Sequence, residues 1–242
     1  MNNLKFPLSI ILATVILFAL ALPVFAVDYN PGVTVGQYIK YGNFSGNGQG
    51  FENFNDYGLL KLQVTSVSGK QVTLLSTGQF KNGTTLPGNG TSSIWNIETG
   101  TEDGIPSTQG PIIAANLNQH DTIPPPDTYS VNQSVSRTYL GSMRTVNILT
   151  VEISTTDYNS TLTYVYDKLS GILLESSTQT MTQSEPQPVA SSYSYSIIET
   201  NIFGSIPNPS PSVPEFPIFT LEVIVVVLMV VTSALILIKR RK

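Results

Sequence analysis

The chain has 242 residues, a length that allows one core and little more. It contains no cysteine and one histidine, so disulfides, thiolate metal sites and schemes that need two histidines are excluded. The formal net charge of −4 argues against a nucleic-acid partner.

The N-terminus has the pattern of a secretory signal peptide. A lysine precedes the uncharged run 6–22, and Val24 and Ala26 are small residues at positions −3 and −1 of a cleavage site. The alternative is a retained membrane helix, but the run is marginal for spanning a bilayer and Pro23 ends it. We predict a signal helix over residues 1–26, cleaved after Ala26.

Residues 27–203 are predicted to form one extracellular domain of β structure. Apolar and polar residues alternate along several segments, and no segment shows sustained helical periodicity. The sets predicted to share a strand face are Val33, Val35, Ile39 and Tyr41; Leu60, Leu62 and Val64; Leu162, Tyr164 and Tyr166; and Tyr193, Tyr195 and Ile197. Serine and threonine lie opposite these positions and are expected to keep the outer face wet.

Glycine-containing turns fall at hairpin spacing. They are residues 67–70, 140–143 and 167–171. In segment 144–154 the apolar phase changes between Ile148 and Leu149, which predicts a bulge or a strand covered on both faces. Eight to ten strands define a mainly β fold class with one antiparallel meander sheet, either a curved half-barrel or a sandwich. A signal helix and a C-terminal transmembrane helix are predicted to flank it.

Five Asn-x-Ser/Thr sequons are candidate glycosylation sites on an exported chain. The candidate asparagines are Asn43, Asn82, Asn89, Asn132 and Asn159. Asn82 and Asn89 lie in a stretch that predicts an exposed loop, and Asn43 lies in a second glycine-rich loop, residues 42–58. These three are the stronger candidates, and unmodified polar side chains are the alternative.

Candidates for metal binding and catalysis are weak. Glu52 and Asp56 offer oxygen ligands to a hard cation, but calcium-loop spacing is absent, so we expect a solvated loop. His120 lies beside Asp121 without a Gly-x-Ser-x-Gly elbow, and no spacing singles out a glycosidase carboxylate pair. We therefore predict no metal, no cofactor, no catalytic residue and no enzyme activity.

Aromatic residues are the remaining indication of a role. All eleven tyrosines and Trp95 lie in the predicted domain. On the strands we expect cross-strand core pairs of tyrosines, and the alternative is a surface that stacks on sugars or lines an apolar groove.

The C-terminus predicts a membrane anchor. Residues 204–217 contain five prolines and are expected to form a semi-rigid stalk. Residues 218–238 are almost wholly apolar and long enough to cross a bilayer, with Glu222 near the start. The basic tail, residues 239–242, predicts a cytoplasmic end and places the acidic domain outside.

The stretch around Pro214, Glu215 and Phe216, with the span and basic tail behind it, resembles the PEF-CTERM type of archaeal sorting signal. The resemblance covers only the C-terminal segment. It implies that an archaeosortase-like transpeptidase recognises the tripeptide, removes the tail and leaves the domain at the cell surface. An ordinary single-pass anchor is the alternative, and both place the domain on the outer face of the membrane.

Four blocks of the domain are similar to uncharacterised secreted archaeal β-proteins that often carry the same tail. The blocks are residues 35–41, 115–118, 139–141 with 144–147, and 166–175. That family usually has Gly-Asp where this chain has His120-Asp121, which implies that His120 takes the turn position of a glycine. The last block also resembles the strand–turn–strand of lipoprotein-carrier half-barrels.

Together these features predict an exported, membrane-anchored surface protein that is a non-catalytic structural or interaction module of the envelope. The first alternative is binding of a lipid or small apolar ligand by a curved sheet, and the second is a surface hydrolase. Expected partners are the membrane, an archaeosortase-like enzyme, and other envelope proteins or glycans. A filled core favours the structural role, whereas an open concave face lined with leucine and tyrosine favours the ligand.

Overall fold

The computed structural model describes residues 27–48, 50–107, 110–124, 129–183 and 188–204. The predicted signal helix, the membrane span and the basic tail lie outside these residues, as does the stalk beyond Gly204. The chain divides into two units, Met1–Phe203 and Gly204–Lys242. The fold given below is that of the first unit.

Strands make up almost all of the regular structure. In chain order they are β1 (Tyr38–Asn47), β2 (Tyr57–Ser68), β3 (Gln71–Phe80), β4 (Thr91–Asn96), β5 (Thr101–Glu102), β6 (Ile105–Pro106), β7 (Thr122–Ile123), β8 (Tyr129–Ser130), β9 (Gln133–Tyr139), β10 (Ser142–Ser154), β11 (Tyr158–Asp167), β12 (Leu173–Thr182) and β13 (Val189–Thr200). One short 3-10 helix, Glu52–Asp56, is the helical structure of the described residues. The predicted mainly β class is confirmed.

Eleven strands form one antiparallel sheet in the order β6-β5-β4-β3-β2-β1-β13-β12-β11-β10-β9, and β7 pairs with β8. Strands β1 to β6 pair in chain order, as do strands β9 to β13, and β1 pairs with β13 to join the two halves of the sheet. The predicted antiparallel meander is confirmed as one large sheet. The prediction of eight to ten strands is too low, because two-residue strands such as β5 and β6 are too short to show alternation.

The three predicted hairpin turns are confirmed. β2 meets β3 through Gly69, and β11 meets β12 through Gly171, each with positive φ. Leu140 (φ 48°) and Gly141 (φ 79°) join β9 to β10. Positive φ at both central residues is the geometry of a type I′ turn, which suits the twist of the flanking strands.

The phase change in β10 comes from burial on both faces. Val146, Asn147, Ile148 and Leu149 are each at most 9 % exposed. The ladders to β9 and β11 run through these positions without a register shift. Of the two predicted explanations, a strand covered on both faces is therefore confirmed and a bulge is wrong.

Burial follows the predicted strand face on β11, is uniform rather than alternating along residues 57–63 of β2 and 192–196 of β13, and contradicts the prediction at Val35. Leu162, Tyr164 and Tyr166 of β11 are at most 7 % exposed, as expected. Val35, by contrast, is 62 % exposed, so its placement beside Ile39 and Tyr41 is wrong. The chain turns at Gly36 (φ 89°) before β1 begins, and the alternation does not continue through that turn.

Candidate functional site

One side of the large sheet is apolar, and the pairing register places its residues together. We call this side the apolar face. It carries Ile39 and Tyr41 of β1, Leu60, Leu62 and Val64 of β2, Val72 and Leu74 of β3, Trp95 of β4, Leu149 and Val151 of β10, Leu162, Tyr164 and Tyr166 of β11, and Tyr193, Tyr195 and Ile197 of β13. The opposite side of β11, β12 and β13 is rich in serine, threonine and amide side chains, as predicted. Ser176 and Thr178 of β12, however, lie on the apolar face beside Tyr195 and Tyr193 and are buried, so the prediction that serine and threonine lie opposite the apolar positions holds only in part.

Segment 110–124 contacts two distant strands on the apolar face. The Tyr166 hydroxyl of β11 donates a hydrogen bond to the carbonyl oxygen of Gly110 at 3.1 Å. A Cβ atom at Gly110 would lie 2.6 Å from Cζ3 of Trp95 on β4. β4 and β11 are six positions apart in the sheet, a separation of about 29 Å if the sheet were flat. Tyr166 and Trp95 could not both contact Gly110 across that distance. The sheet is therefore curved, with its apolar face on the inside.

The same segment fills the space that this curvature encloses. Ile112, Ile113 and Leu117 are each at most 6 % exposed. The backbone N–H of Ile113 donates to the carbonyl oxygen of Gly171 at 2.8 Å, and Asn147 Nδ2 donates to the Leu117 carbonyl oxygen at 2.8 Å. The cavity left beside Trp95 measures about 10 Å³, which is room for no more than about one water molecule.

An aromatic cluster covers another part of the apolar face. Its members are Tyr41, Phe44, Phe51, Phe54, Tyr57, Phe80, Tyr193 and Tyr195. Phe54, on the 3-10 helix, lies 5.0 Å from Tyr193 and 5.2 Å from Tyr57 between ring centroids. A Cβ atom at Gly46 would lie 2.1 Å from the Phe51 carbonyl oxygen, so glycine allows the helix to approach β1. The outer rings of the cluster are half-buried, and Tyr41 and Phe44 are buried.

Two hydroxyl groups on the apolar face are buried with no hydrogen-bond partner among the described residues. They are Tyr164 Oη and Thr178 Oγ1, on residues that are 3 % and 5 % exposed. Burial, together with the nearby Tyr193 and Tyr195 phenols, raises the pKa of Tyr164 well above its usual range. Burial also raises the pKa of Tyr195 to about 12, against a lowering by its hydrogen bond to Ser176. Both phenols therefore stay protonated at neutral pH and cannot act as bases.

A buried ion pair ties the start of β10 to the β11–β12 turn. Arg144 Nε and Nη2 donate to Asp167 Oδ1 and Oδ2, each at 2.8 Å. Asp167 Oδ2 also accepts from Ser170 N at 2.9 Å and from Ser170 Oγ at 2.6 Å. The guanidinium lies 4.7 Å from the ring centroid of Phe203. These contacts hold the turn in place and leave Asp167, which is fully buried, without access to a substrate.

His120 and Asp121 lie at a turn and stabilise its backbone. His120 has φ 74°, so the interpretation that it takes the turn position of a glycine is confirmed. Its backbone N–H donates to the Val131 carbonyl oxygen at 2.8 Å. Asp121 Oδ2 accepts from the backbone N–H of Asn118 at 2.6 Å, so this carboxylate orients the turn rather than the imidazole.

The predicted loop 42–58 is partly wrong. β1 continues to Asn47 instead of ending at a loop. The glycines in this stretch allow a shift in the β1–β13 register and the close approach of the 3-10 helix to β1 at Gly46. Glu52 and Asp56 lie on the 3-10 helix, and Glu52 Oε2 accepts from the backbone N–H of Gly50. Within the described part of the chain, no group of three or more histidine, aspartate or glutamate residues could hold a metal ion.

Asn43 is also placed differently from the prediction. It lies inside β1 with φ 53°, where the β1–β13 register shifts, and not in a loop. Its Nδ2 atom donates a hydrogen bond to Ser196 Oγ at 2.9 Å. The nitrogen that a glycan would modify is therefore already engaged.

The other four candidate asparagines are exposed in varied settings. Asn82 and Asn89 lie in the predicted exposed loop, where Asn82 Oδ1 accepts from Thr84 N and Asn89 Oδ1 accepts from Gly78 N. Asn132 Oδ1 accepts from Thr150 N at 2.6 Å. Asn159 lies within β11. Glycosylation at these positions stays a prediction.

The predictions on sorting and anchoring concern other parts of the chain. Ala26 and the motif Pro214, Glu215 and Phe216 lie outside the described residues, as does the predicted span 218–238. Among the residues that the structure does describe, no helix has the length and apolar character needed to cross a membrane.

Comparison with protein-family models finds no match for this chain, and comparison with curated proteins finds none. The resemblances to the PEF-CTERM signal and to secreted archaeal β-proteins stay predictions from the sequence. A function for the chain must therefore be argued from its own geometry.

A depression on the polar side of the sheet was not predicted from the sequence. It has a volume of about 350 Å³ and is lined by residues of four neighbouring strands. Among its lining residues are Asn47 of β1, Asn159 and Thr161 of β11, Gln179 of β12 and Ser192 of β13. The sequence feature that could have indicated this depression is the Asn159–Thr161 sequon, whose first and last residues face the same side of one strand. The lining residues of the other three strands come close to it only through long-range strand pairing.

Proposed function

We propose that this chain is an exported, membrane-anchored cell-surface protein whose domain is a non-catalytic structural or interaction module of the envelope. The observation that carries the proposal is the filled apolar face of the large curved sheet. Segment 110–124 occupies the inside of the curve, and the cavity beside Trp95 is about 10 Å³. Apolar ligand sites are usually about 300–1,000 Å³.

The use of the acidic side chains supports a non-catalytic role. Asp167 is bound by Arg144 and Ser170, and Asp121 caps its own turn. Glu199 pairs with Lys40 at 2.7 Å on the surface. Asp167 and Asp121 thus have structural roles, and Glu199 is engaged in a surface ion pair. The raised pKa values of Tyr164 and Tyr195 keep both phenols protonated near neutral pH, so they cannot act as bases there.

The placement at the cell surface rests on the two ends of the sequence. The signal pattern before Val27 favours export, and the stalk, span and basic tail favour a single anchor with the domain outside. The PEF-like motif adds an archaeosortase-like enzyme as a partner, with retention by an intact span as the alternative.

The absence of cysteine makes this placement directly testable. Met143, which is 73 % exposed, is replaced in the variant Met143→Cys, and the matched control is Lys242→Cys in the basic tail. A membrane-impermeant maleimide is applied to intact cells and to lysed cells. The proposal predicts that the domain cysteine reacts on intact cells and that the tail cysteine does not.

If sorting removes the tail, the tail cysteine is missing from the mature chain, which also supports the proposal. A domain cysteine that reacts only after lysis contradicts it. This result would place the domain inside the cell and remove the basis for a surface role.

A second candidate function is binding of a lipid or small apolar ligand. It is favoured by the half-buried outer rings of the aromatic cluster and by the unpartnered hydroxyls of Tyr164 and Thr178. An apolar molecule with one polar group would satisfy both features. A stoichiometric apolar mass retained by the purified protein would move this candidate ahead of the structural one.

A further inference from the structure

The depression on the polar side of the sheet has the chemistry of a sugar site. Its volume of about 350 Å³ lies within the range of small-ligand sites. Among the described residues, its lining contains no charged side chain and consists mainly of amides and hydroxyls, together with Met181 and Ala190. Gln179, Asn47 and Asn159 supply both donors and acceptors, and Ser192 and Thr161 add hydroxyls. Such a lining suits a neutral ligand that is rich in hydroxyl groups.

A possible attachment point lies in the lining itself. Asn159-Ser160-Thr161 is a sequon, and Asn159 and Thr161 are exposed and face the same side of β11. Asn159 Oδ1 accepts a hydrogen bond from Ser154 Oγ on β10 at 2.6 Å. A carboxamide has its oxygen and nitrogen on opposite sides of Cγ, so the Nδ2 atom is turned away from β10. The depression, which extends over β12 and β13, lies on that side of β11.

We propose that Asn159 carries an N-linked glycan whose linking sugar lies in this depression. The donor is a glycan joined to a lipid through phosphate. A bond forms between Asn159 Nδ2 and the anomeric carbon, and the bond from that carbon to the phosphate oxygen breaks. The phosphate leaves with the electron pair, and one Nδ2 proton passes to a base of the transferase. This modification rests on the proposed export of the domain. It adds to the proposed function a glycan and the position of its linking sugar.

The five sequons differ in how they present the acceptor nitrogen. At Asn43 the Nδ2 atom donates to Ser196 Oγ, and the backbone has positive φ. At Asn159 the hydrogen bond to Ser154 uses the oxygen and leaves the nitrogen for a glycosidic bond. Asn82, Asn89 and Asn132 also accept hydrogen bonds through Oδ1, so this criterion separates Asn43 from the other four asparagines. Asn159 differs from those three because it lies in the lining of the depression. The structure therefore favours Asn159 over Asn43, although Asn43 is one of the three stronger candidates from the sequence.

Occupancy is tested by mass spectrometry of glycopeptides from the protein purified from its own cells. Thr161→Ser keeps the sequon, and Thr161→Val removes its hydroxyl while leaving Asn159 in place. We expect a sugar mass on Asn159 in the native chain and in Thr161→Ser, and its loss in Thr161→Val. An unmodified Asn159 in a chain whose domain reacts on intact cells overturns this inference and leaves the proposed function standing.

The position of the linking sugar is tested by thermal unfolding of glycosylated and unglycosylated chains. Gln179→Ala keeps the sequon but removes an amide from the depression, and Gln63→Ala on β2 is the matched control far from it. We expect Gln179→Ala to lower the melting temperature more in the glycosylated chain than in the unglycosylated Thr161→Val background, and Gln63→Ala to act equally in both. Equal effects of Gln179→Ala in the two backgrounds would show that the glycan does not lie in the depression.

Discussion

Arg144 and Asp167 meet through two parallel hydrogen bonds of 2.8 Å, which join the start of β10 to the turn that leaves β11. The carboxylate is fully buried, and the arginine side chain is 10 % exposed. Ser170 supplies two more donors to the same carboxylate. Removing one partner of this ion pair therefore leaves the charge of the other largely without solvent and without a counter-charge.

Asp167→Asn should lower the free energy of unfolding by about 3–5 kcal/mol, because it leaves the Arg144 charge largely buried and unpaired. The matched control is Glu175→Gln, which breaks an ion pair with Arg137 that is exposed on both sides. That control should cost less than about 1 kcal/mol. Denaturant unfolding of the full chain in detergent measures both. Equal effects would show that the buried pair has no special role.

Gly171→Ala should destabilise the chain more than Gly141→Ala. Both glycines have positive φ, which strains alanine by about 1–2 kcal/mol at either position. A Cβ atom at Gly171 would also lie 2.0 Å from the Ile113 carbonyl oxygen, whereas Gly141 has open space around it. The extra loss of unfolding free energy in Gly171→Ala measures how tightly segment 110–124 packs on the turn. The same unfolding assay reports it, and equal losses at the two glycines would mean that this packing is loose.

Removing single phenolic hydroxyls should separate Tyr166, whose hydroxyl has a hydrogen-bond partner, from Tyr164, whose hydroxyl has none among the described residues. Tyr166→Phe leaves the Gly110 carbonyl oxygen unpaired and should cost about 1–3 kcal/mol. Tyr164→Phe removes a buried hydroxyl that has no partner, so it should leave stability unchanged or raise it. Thermal unfolding of both variants decides the point. A clear loss of stability in Tyr164→Phe would indicate a bound group on that hydroxyl and favour the ligand alternative.

Alkaline pH should destabilise the fold through its buried phenols. The pKa of Tyr195 is raised from 10.0 to about 12 by burial, so the stabilisation is complete below pH 10. Between about pH 10 and 12 the unfolded chain loses a phenolic proton that the folded chain keeps. The free energy of unfolding then falls by up to about 1.4 kcal/mol per pH unit for this residue. Unfolding curves across this range measure the slope, and Tyr195→Phe should reduce it; an unchanged slope in the variant would refute the assignment.

Local features of the fold could be predicted from the sequence, because short-range patterns determine them. The alternation of Leu162, Tyr164 and Tyr166 predicted a buried strand face, and the glycine turns at Gly69 and Gly171 predicted two hairpins. Alternation failed at Val35, where a turn at the following glycine separates it from β1. A pattern of period two carries no information about where the strand begins.

Long-range features could not be predicted from such patterns. The curvature of the sheet depends on Gly110 meeting both Trp95 and Tyr166, residues that are far apart in the chain. Glycines in the stretch 42–58 indicated a loop, but Gly46 instead allows the 3-10 helix to pack on a strand. The depression beside Asn159 likewise exists only once four strands have paired.

Native mass spectrometry of the protein purified from its own membranes tests the central claim most directly. The account predicts a chain that begins at Val27 and retains no apolar molecule, because the inside of the curved sheet is filled by its own segment 110–124. Mass increments from sugars are compatible with this result. A chain that keeps residues 1–26, or that carries a stoichiometric apolar mass, would contradict the account of an exported module with a filled core.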